Sequence, residues 1–274
     1  RREHYHEQDE VGSDGKKPVE GEETCVGCDI ASSIVYYNSV AFHPKVSILA
    51  SGGSKDYAIL LHISREGATK LEGHTRSVTS VAFHPTAPLL ATGSDDKTAK
   101  LWRFSPDSST ATCVATLEGH SDSVRSVAFH PTAPLLATGS ADNTAKLWRF
   151  LPDGSTATCV LTLAAHGESV NSVAFHPNPE MVLLATGSSD TTAKLWRFSP
   201  DSSTATCVAT LDGHTRSVTS VAFHPTAQLL ATGSADNTAK LWRFSPDGST
   251  TQTVATLEGH TRSVTSVAFH PTAP

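Results

Sequence analysis

The chain copies itself, and that constrains its fold more than any other feature. The string LEGHTRSVTSVAFHPTAPLLATGSDDKTAKLWRFSPDSSTATCVAT runs from Leu71 to Thr116. It recurs with few changes over 117–162, 163–210 and 211–256, and its first part begins again at 257–274. Self-similarity at a fixed period marks an array whose units bury their apolar faces against one another. Trp102, Trp148, Trp196 and Trp242 are spaced by 46, 48 and 46 residues. The longer interval arises where HPNPEMVLLAT replaces HPTAPLLAT, an insertion around Asn178–Val182. A surface loop between strands absorbs an insertion most easily, so the segment is expected there.

Each unit reads as four short strands. Ser77–Phe83 alternates and ends in His-Pro, and Leu89–Thr92 is apolar and precedes Gly-Ser. Thr98–Phe104 carries the Trp, and Thr112–Leu117 closes the unit. Clusters of Pro, Gly, Asp and Ser separate them, as tight turns demand. No helical period fits inside the unit. The expected class is all-β, built from four-stranded antiparallel units.

The flanks are worn copies. Residues 39–73 form a degenerate unit, with Ser33 upstream at the His position and His62 at the Trp position. Residues 1–38 hold an acidic segment and GSDGKKPVEGEETCV, which resembles SPDGSTATCV and reads as the last strand of an earlier unit. Regular units occupy 74–119, 120–165, 166–213 and 214–259, and 260–274 starts another that is cut short. All belong to one domain spanning 1–274.

Gly73-His74, then Asp96, then Trp102, repeated in three further units, one of them with Ala165 for the Gly and two inserted residues, resemble the WD-repeat (β-transducin-like) family. The resemblance implies a β-propeller of four-stranded blades around a central channel. Five full blades are expected here with partial blades at both ends. The intact ring is expected to have seven, with a six-blade closure through the end segments as the alternative. One departure is consistent: the family usually has Asp after the Trp, and here Arg103, Arg149, Arg197 and Arg243 stand there.

Four quartets could pass for hydrolase machinery: His74, Thr92, Asp96, Trp102; His120, Thr138, Asp142, Trp148; His166, Thr186, Asp190, Trp196; and His214, Thr232, Asp236, Trp242. A catalyst needs one preorganised site rather than a copy per unit. Buried polar turn residues need partners. Asp can accept from a His ring N–H, the other ring nitrogen from the Thr hydroxyl, and that hydroxyl from the indole N–H. This chain resembles the family's structural tetrad, so no catalytic residue, cofactor or bound metal is expected.

Cys25-Val-Gly-Cys28, with His4 and His6 upstream, looks like half a zinc site without its second pair. Cys25 also aligns with Cys113, Cys159 and Cys207 of the repeats. Thiols held a blade apart are read as reduced and packed, which suits the cytosol or nucleus. Each repeated Arg precedes an Asp by four residues (Arg103 and Asp107, Arg149 and Asp153, Arg197 and Asp201, Arg243 and Asp247), read as a solvated pair of little weight.

The differences between near-identical units fall in two loops. One loop follows Gly-His, as at Thr75-Arg76, Ser121-Asp122, Gly167-Glu168, Thr215-Arg216 and Thr261-Arg262, with Thr79, Arg125, Asn171, Thr219 and Thr265 just beyond. The other is the Gly-Ser turn, with Asp95 and Lys97, Ala141 and Asn143, Ser189 and Thr191, Ala235 and Asn237. Strand alternation puts both loops on one rim, while HPTAP and SPDSSTATC on the opposite face scarcely change. In the family that rim is a frequent docking surface. The candidate partner-binding residues are therefore Arg76, Asp95, Asp122, Arg125, Glu168, Asn171, Arg216 and Arg262.

Charge narrows the partner. Of the net −6, −4 falls in residues 1–24, leaving a near-neutral body unsuited to a phosphate backbone. No run approaches the ~18 apolar residues of a membrane helix. The chain starts at Arg1 with no signal-peptide core and reads as a fragment. A mixed-sign rim suits a protein or peptide partner, within a multi-subunit complex or alone. The expected function is a non-catalytic protein–protein interaction scaffold. The alternative is a ligand-sensing or recognition module of a larger signalling protein. A ubiquitin-ligase substrate receptor is disfavoured, because the Asp after the Trp is missing.

Overall fold

The computed structural model describes residues 37–63, 68–105, 110–199 and 201–271. Among them lie five antiparallel four-stranded sheets, each made of strands consecutive in the chain. Blade 1 holds β1 (Tyr37–Phe42), β2 (Ile48–Gly53), β3 (Tyr57–His62) and β4 (Ala68–Glu72). Blade 2 holds β5 (Val78–Phe83), β6 (Leu89–Ser94), β7 (Ala99–Phe104) and β8 (Ala111–Leu117). Blade 3 holds β9 (Val124–Phe129), β10 (Leu135–Ser140), β11 (Ala145–Phe150) and β12 (Ala157–Leu163). Blade 4 holds β13 (Val170–Phe175), β14 (Leu183–Ser188), β15 (Ala193–Phe198) and β16 (Ala205–Leu211). Blade 5 holds β17 (Val218–Phe223), β18 (Leu229–Ser234), β19 (Ala239–Phe244) and β20 (Thr251–Leu257). The inserted residues form a 3-10 turn, Pro179–Met181, between β13 and β14. The expected loop is there.

The first strands of successive blades pack on one another, whereas the fourth strands scarcely touch, so β1, β5, β9, β13 and β17 form the inner edge. The core lies between blades rather than inside one. Strand alternation explains how: Leu89 and Ala91 of β6 meet Val124, Val127, Phe129 and Trp148 of blade 3. Leu90 on the other face packs with Ile48, Ala50 and Leu60 of blade 1. The LLATGS strands β6, β10 and β14 are therefore buried along their whole length. Burying one such Leu is worth about 1.5–3 kcal/mol.

Close approach between blades needs a residue without a side chain. A Cβ at Gly93 would stand 2.8 Å from Val124 Cγ1, and one at Gly139 2.9 Å from Val170 Cγ1. This contact is why the Gly of each Thr-Gly-Ser recurs. The inner edge is also stitched by hydrogen bonds. Ser80 Oγ accepts from Val127 N at 3.1 Å, and Ser126 Oγ does the same for Val173 N.

The worn first unit differs from expectation. In blade 1, Leu49 pairs with Leu61 as Leu90 pairs with Trp102, so Leu61 and not His62 holds the Trp position. His62 matches Arg103, since Ile48 faces it as Leu89 faces Arg103. Ser33 and residues 12–30 lie outside the described residues. After β20 the chain does not pair into a sheet, yet Val264 N donates to Ser234 O at 2.9 Å and Val267 N to Ser220 Oγ at 3.2 Å, as a further first strand would.

The Arg–Asp pairs run between blades instead of within a unit. Arg103 Nη2 lies 3.5 Å from Asp153 Oδ2 on blade 3, and Arg149 Nη2 donates to Asp201 O on blade 4. Asp153 also accepts from Ser155 of its own turn, and Asp247 accepts from Ser249. The thiols of Cys113, Cys159 and Cys207 are free but exposed on outer strands, not packed. Cys25, Cys28, His4, His6 and Asp107 lie outside the described residues.

Candidate functional site

Each quartet closes as a continuous chain of hydrogen bonds. In blade 2, His74 Nδ1 stands 2.7 Å from Asp96 Oδ2 and Nε2 2.7 Å from Thr92 Oγ1, while Trp102 Nε1 donates to the same Oγ1 at 2.9 Å. Blade 3 repeats 2.7, 2.7 and 2.9 Å through His120, Asp142, Thr138 and Trp148. Blades 4 and 5 repeat 2.8, 2.7 and 2.9 Å through His166, Asp190, Thr186 and Trp196, and through His214, Asp236, Thr232 and Trp242. His74 comes from the loop between β4 and β5, Asp96 from the turn between β6 and β7, Thr92 from β6 and Trp102 from β7. The quartet thus locks two loops to the blade.

Electrostatics fix the direction of each bond. Burial holds the pKa of all four rings below the ordinary histidine value, against the opposing pull of the aspartates. A neutral ring donates through Nδ1–H to the carboxylate and accepts through Nε2 from the threonine hydroxyl. Burial pushes the Asp96 carboxyl up, but bonds from Thr98, Thr75 N and His74 outweigh it and hold it at about 2. Asp190 is held at about 2 in the same way, and Asp142 and Asp236 are also lowered.

Sequence reasoning missed a fifth member. Thr98 donates through Oγ1 to Asp96 Oδ1 at 2.6 Å and through its backbone N at 2.9 Å, and Thr144, Thr192 and Thr238 do the same. The signal was available, because this Thr stands in every regular unit. A nucleophile needs access to a substrate, and here the hydroxyl, ring and carboxylate are saturated with partners. The His74 side chain is 0% exposed, and its three counterparts are 1% exposed. Chemically, the arrangement braces.

The His–Asp bond also brings the two variable loops to one rim. There Arg76, Asp122, Arg125, Glu168, Arg216 and Arg262 are exposed, and Asp95 and Asn171 are half-buried. One cavity of about 550 Å³ opens on the inner edge, lined by Asn38, Thr79, Asp95, Arg125, Asn171, Ser189, Ser217 and Thr219, with residues from all five first strands. A neighbouring cavity of about 690 Å³ is lined by Lys55, Thr75, Arg76 and Asp95 among others. Asp122, Glu168, Arg216 and Arg262 line neither.

Three features of this rim differ from expectation. Asn171 is engaged within the protein: its Nδ2 donates to Val218 O and Ser189 Oγ, both at 3.0 Å. The constancy of the opposite face also has a packing cause. The His of the His-Pro in blades 2 to 5 is buried; His84 accepts through Nδ1 from Thr86 N and Ala87 N, and its ring meets Phe129 of blade 3 edge-on at 5.0 Å. Lys97, Asn143, Thr191 and Asn237 all have φ near +70°, so backbone conformation, not recognition, governs that position.

A family model described as "WD domain, G-beta repeat" matches residues 66–103, 111–149, 157–197, 205–243 and 251–274, together more than half of the chain. No curated protein matches it.

Proposed function

This chain belongs to the WD-repeat family, and from that premise we propose that it is a non-catalytic scaffold that docks a protein or peptide on the rim of the tetrad-bearing loops. The reading rests chiefly on one observation. The rim presents exposed charges of both signs, Arg76, Arg125 and Arg216 against Asp122 and Glu168, on loops whose backbone the tetrads hold rigid. Preorganised loops lower the ordering cost of binding, and mixed charges select a partner more than they add affinity. The histidines that could have served catalysis are buried and bonded on both nitrogens. A cytosolic or nuclear setting fits the exposed free thiols.

The test is affinity capture with the full chain, followed by identification of stoichiometric partners. The comparison is wild type against a variant carrying Arg76→Glu, Arg125→Glu and Arg216→Glu. Loss of the partners with an unchanged melting transition is expected. Partners retained at the same stoichiometry would remove this rim as the docking surface.

A further inference from the structure

The junctions between blades are not alike at the inner edge. At one position of the first strand a short polar side chain crosses to the next blade. Asn38 Nδ2 donates to Val78 O at 3.2 Å and Thr79 Oγ1 to Val124 O, while Asn171 Nδ2 donates to Val218 O at 3.0 Å and Thr219 Oγ1 to Val264 O. Blade 3 breaks the pattern. Arg125 stands at that position, and among the described residues no side chain donates to Val170 O. The Arg125 guanidinium is exposed and makes no hydrogen bond or ion pair with a described residue, although Asp95 lines the same cavity. One strap has been exchanged for an uncommitted cation at the mouth.

We infer that Arg125 is the specificity-determining contact of the docking face proposed above, and that it receives a single carboxylate side chain, Asp or Glu, from an acidic peptide segment. A planar guanidinium pairs with a carboxylate through two parallel bonds, a match that lysine cannot make. Charge favours a carboxylate over a phosphate. The cavity offers one cation and one anion, so each negative charge that an occupant brings beyond the first adds repulsion from Asp95 with no second cation to offset it. The remaining wall does not compete. Thr79, Asn171 and Thr219 already donate within the protein, which leaves Arg125 as the strongest free donor.

The test uses the ¹⁵N-labelled full chain and reads the arginine Nε–Hε resonances, with that of Arg125 assigned by its loss in Arg125→Gln. Three probes are titrated: acetyl-Gly-Ser-Glu-Ser-Gly-amide and its counterparts with glutamine or phosphoserine in place of Glu. A saturable shift of the Arg125 resonance by the Glu peptide is expected, with binding at least about tenfold weaker for the Gln peptide. Equal shifts from the Glu and Gln peptides, or no saturable shift at millimolar peptide, overturn the assignment. Tighter binding of the phosphoserine peptide overturns the choice of carboxylate. Arg125→Gln in the capture experiment separates the two proposals. Partners kept by this variant but lost with Arg76→Glu and Arg216→Glu leave the docking face standing and remove Arg125. Partners kept by all variants remove the face itself.

Discussion

Asp142 carries more of blade 3 than its single position in the repeat suggests. His120 Nδ1 and Ser121 N bond one carboxylate oxygen, and Thr144 N and Oγ1 bond the other. Asp142→Ala strands the buried Nδ1–H of His120 without its acceptor, which costs about 1–3 kcal/mol. The midpoint of urea unfolding should fall accordingly, and an unmoved midpoint would remove the bracing role. A second residue runs the other way. Ser202 is buried at φ +56°, where the neighbouring units place Gly154 at +72° and Gly248 at +74°. A Cβ at Gly154 would come within 2.9 Å of Leu89, so this turn both needs a left-handed backbone and lacks room. Ser202→Gly should raise stability by about 0.5–1 kcal/mol, and a lowered melting temperature would contradict this.

Among the elements, blade 1 is the weakest of the five. Lys55 stands where Asp belongs and Leu61 where Trp belongs, and the Ser51 hydroxyl is buried without a partner among the described residues. Phe42 is 69% exposed and Ile63 63% exposed. Local opening draws on the elements with fewest buried contacts. Amide hydrogens of β2 and β3 should therefore exchange at least about tenfold faster than those of β10 and β11; equal protection would show that the tetrad adds nothing to a blade. Strands and blades were legible in the sequence because a period exposes alternation, and because Gly, Pro and Trp mark the same places in every copy. What crosses between blades was not. Arg103 lies four residues from Asp107 in sequence but meets Asp153, and spacing within a unit holds no record of its neighbour's loops. His84 has a counterpart in every copy, yet constancy alone does not separate a turn residue from one buried against the next blade.

At the scale of the whole molecule, the same ionisable groups recur from blade to blade, so their titrations add. Burial lowers the pKa of His74, His120, His166 and His214 in the tetrads and of His84, His130 and His176 between blades, with His130 down to about 4. In the unfolded chain these rings take up protons near the ordinary value of about 6.5. Between the two values the unfolded state binds more protons, so stability is whole above about pH 6.5 and falls as pH falls. His130 alone accounts for about 2 kcal/mol at pH 5. The carboxylates act in the same direction in a lower window. Asp96 and Asp190, held at about 2, stay charged in the folded state while their unfolded counterparts protonate below 3.8. These losses follow one another and act in one direction, so unfolding free energy should decline from neutral pH into acid. Urea titrations at about pH 7, 6 and 5 measure the upper window before the carboxylates contribute. His130→Gln should flatten that slope by one ring's share. A stability that holds level across this range would mean that the rings take up protons as readily in the folded state as in the unfolded one. In that case Nε2 could not accept from the threonine hydroxyl at the acid end of the range, and the bracing chain in each blade would open there.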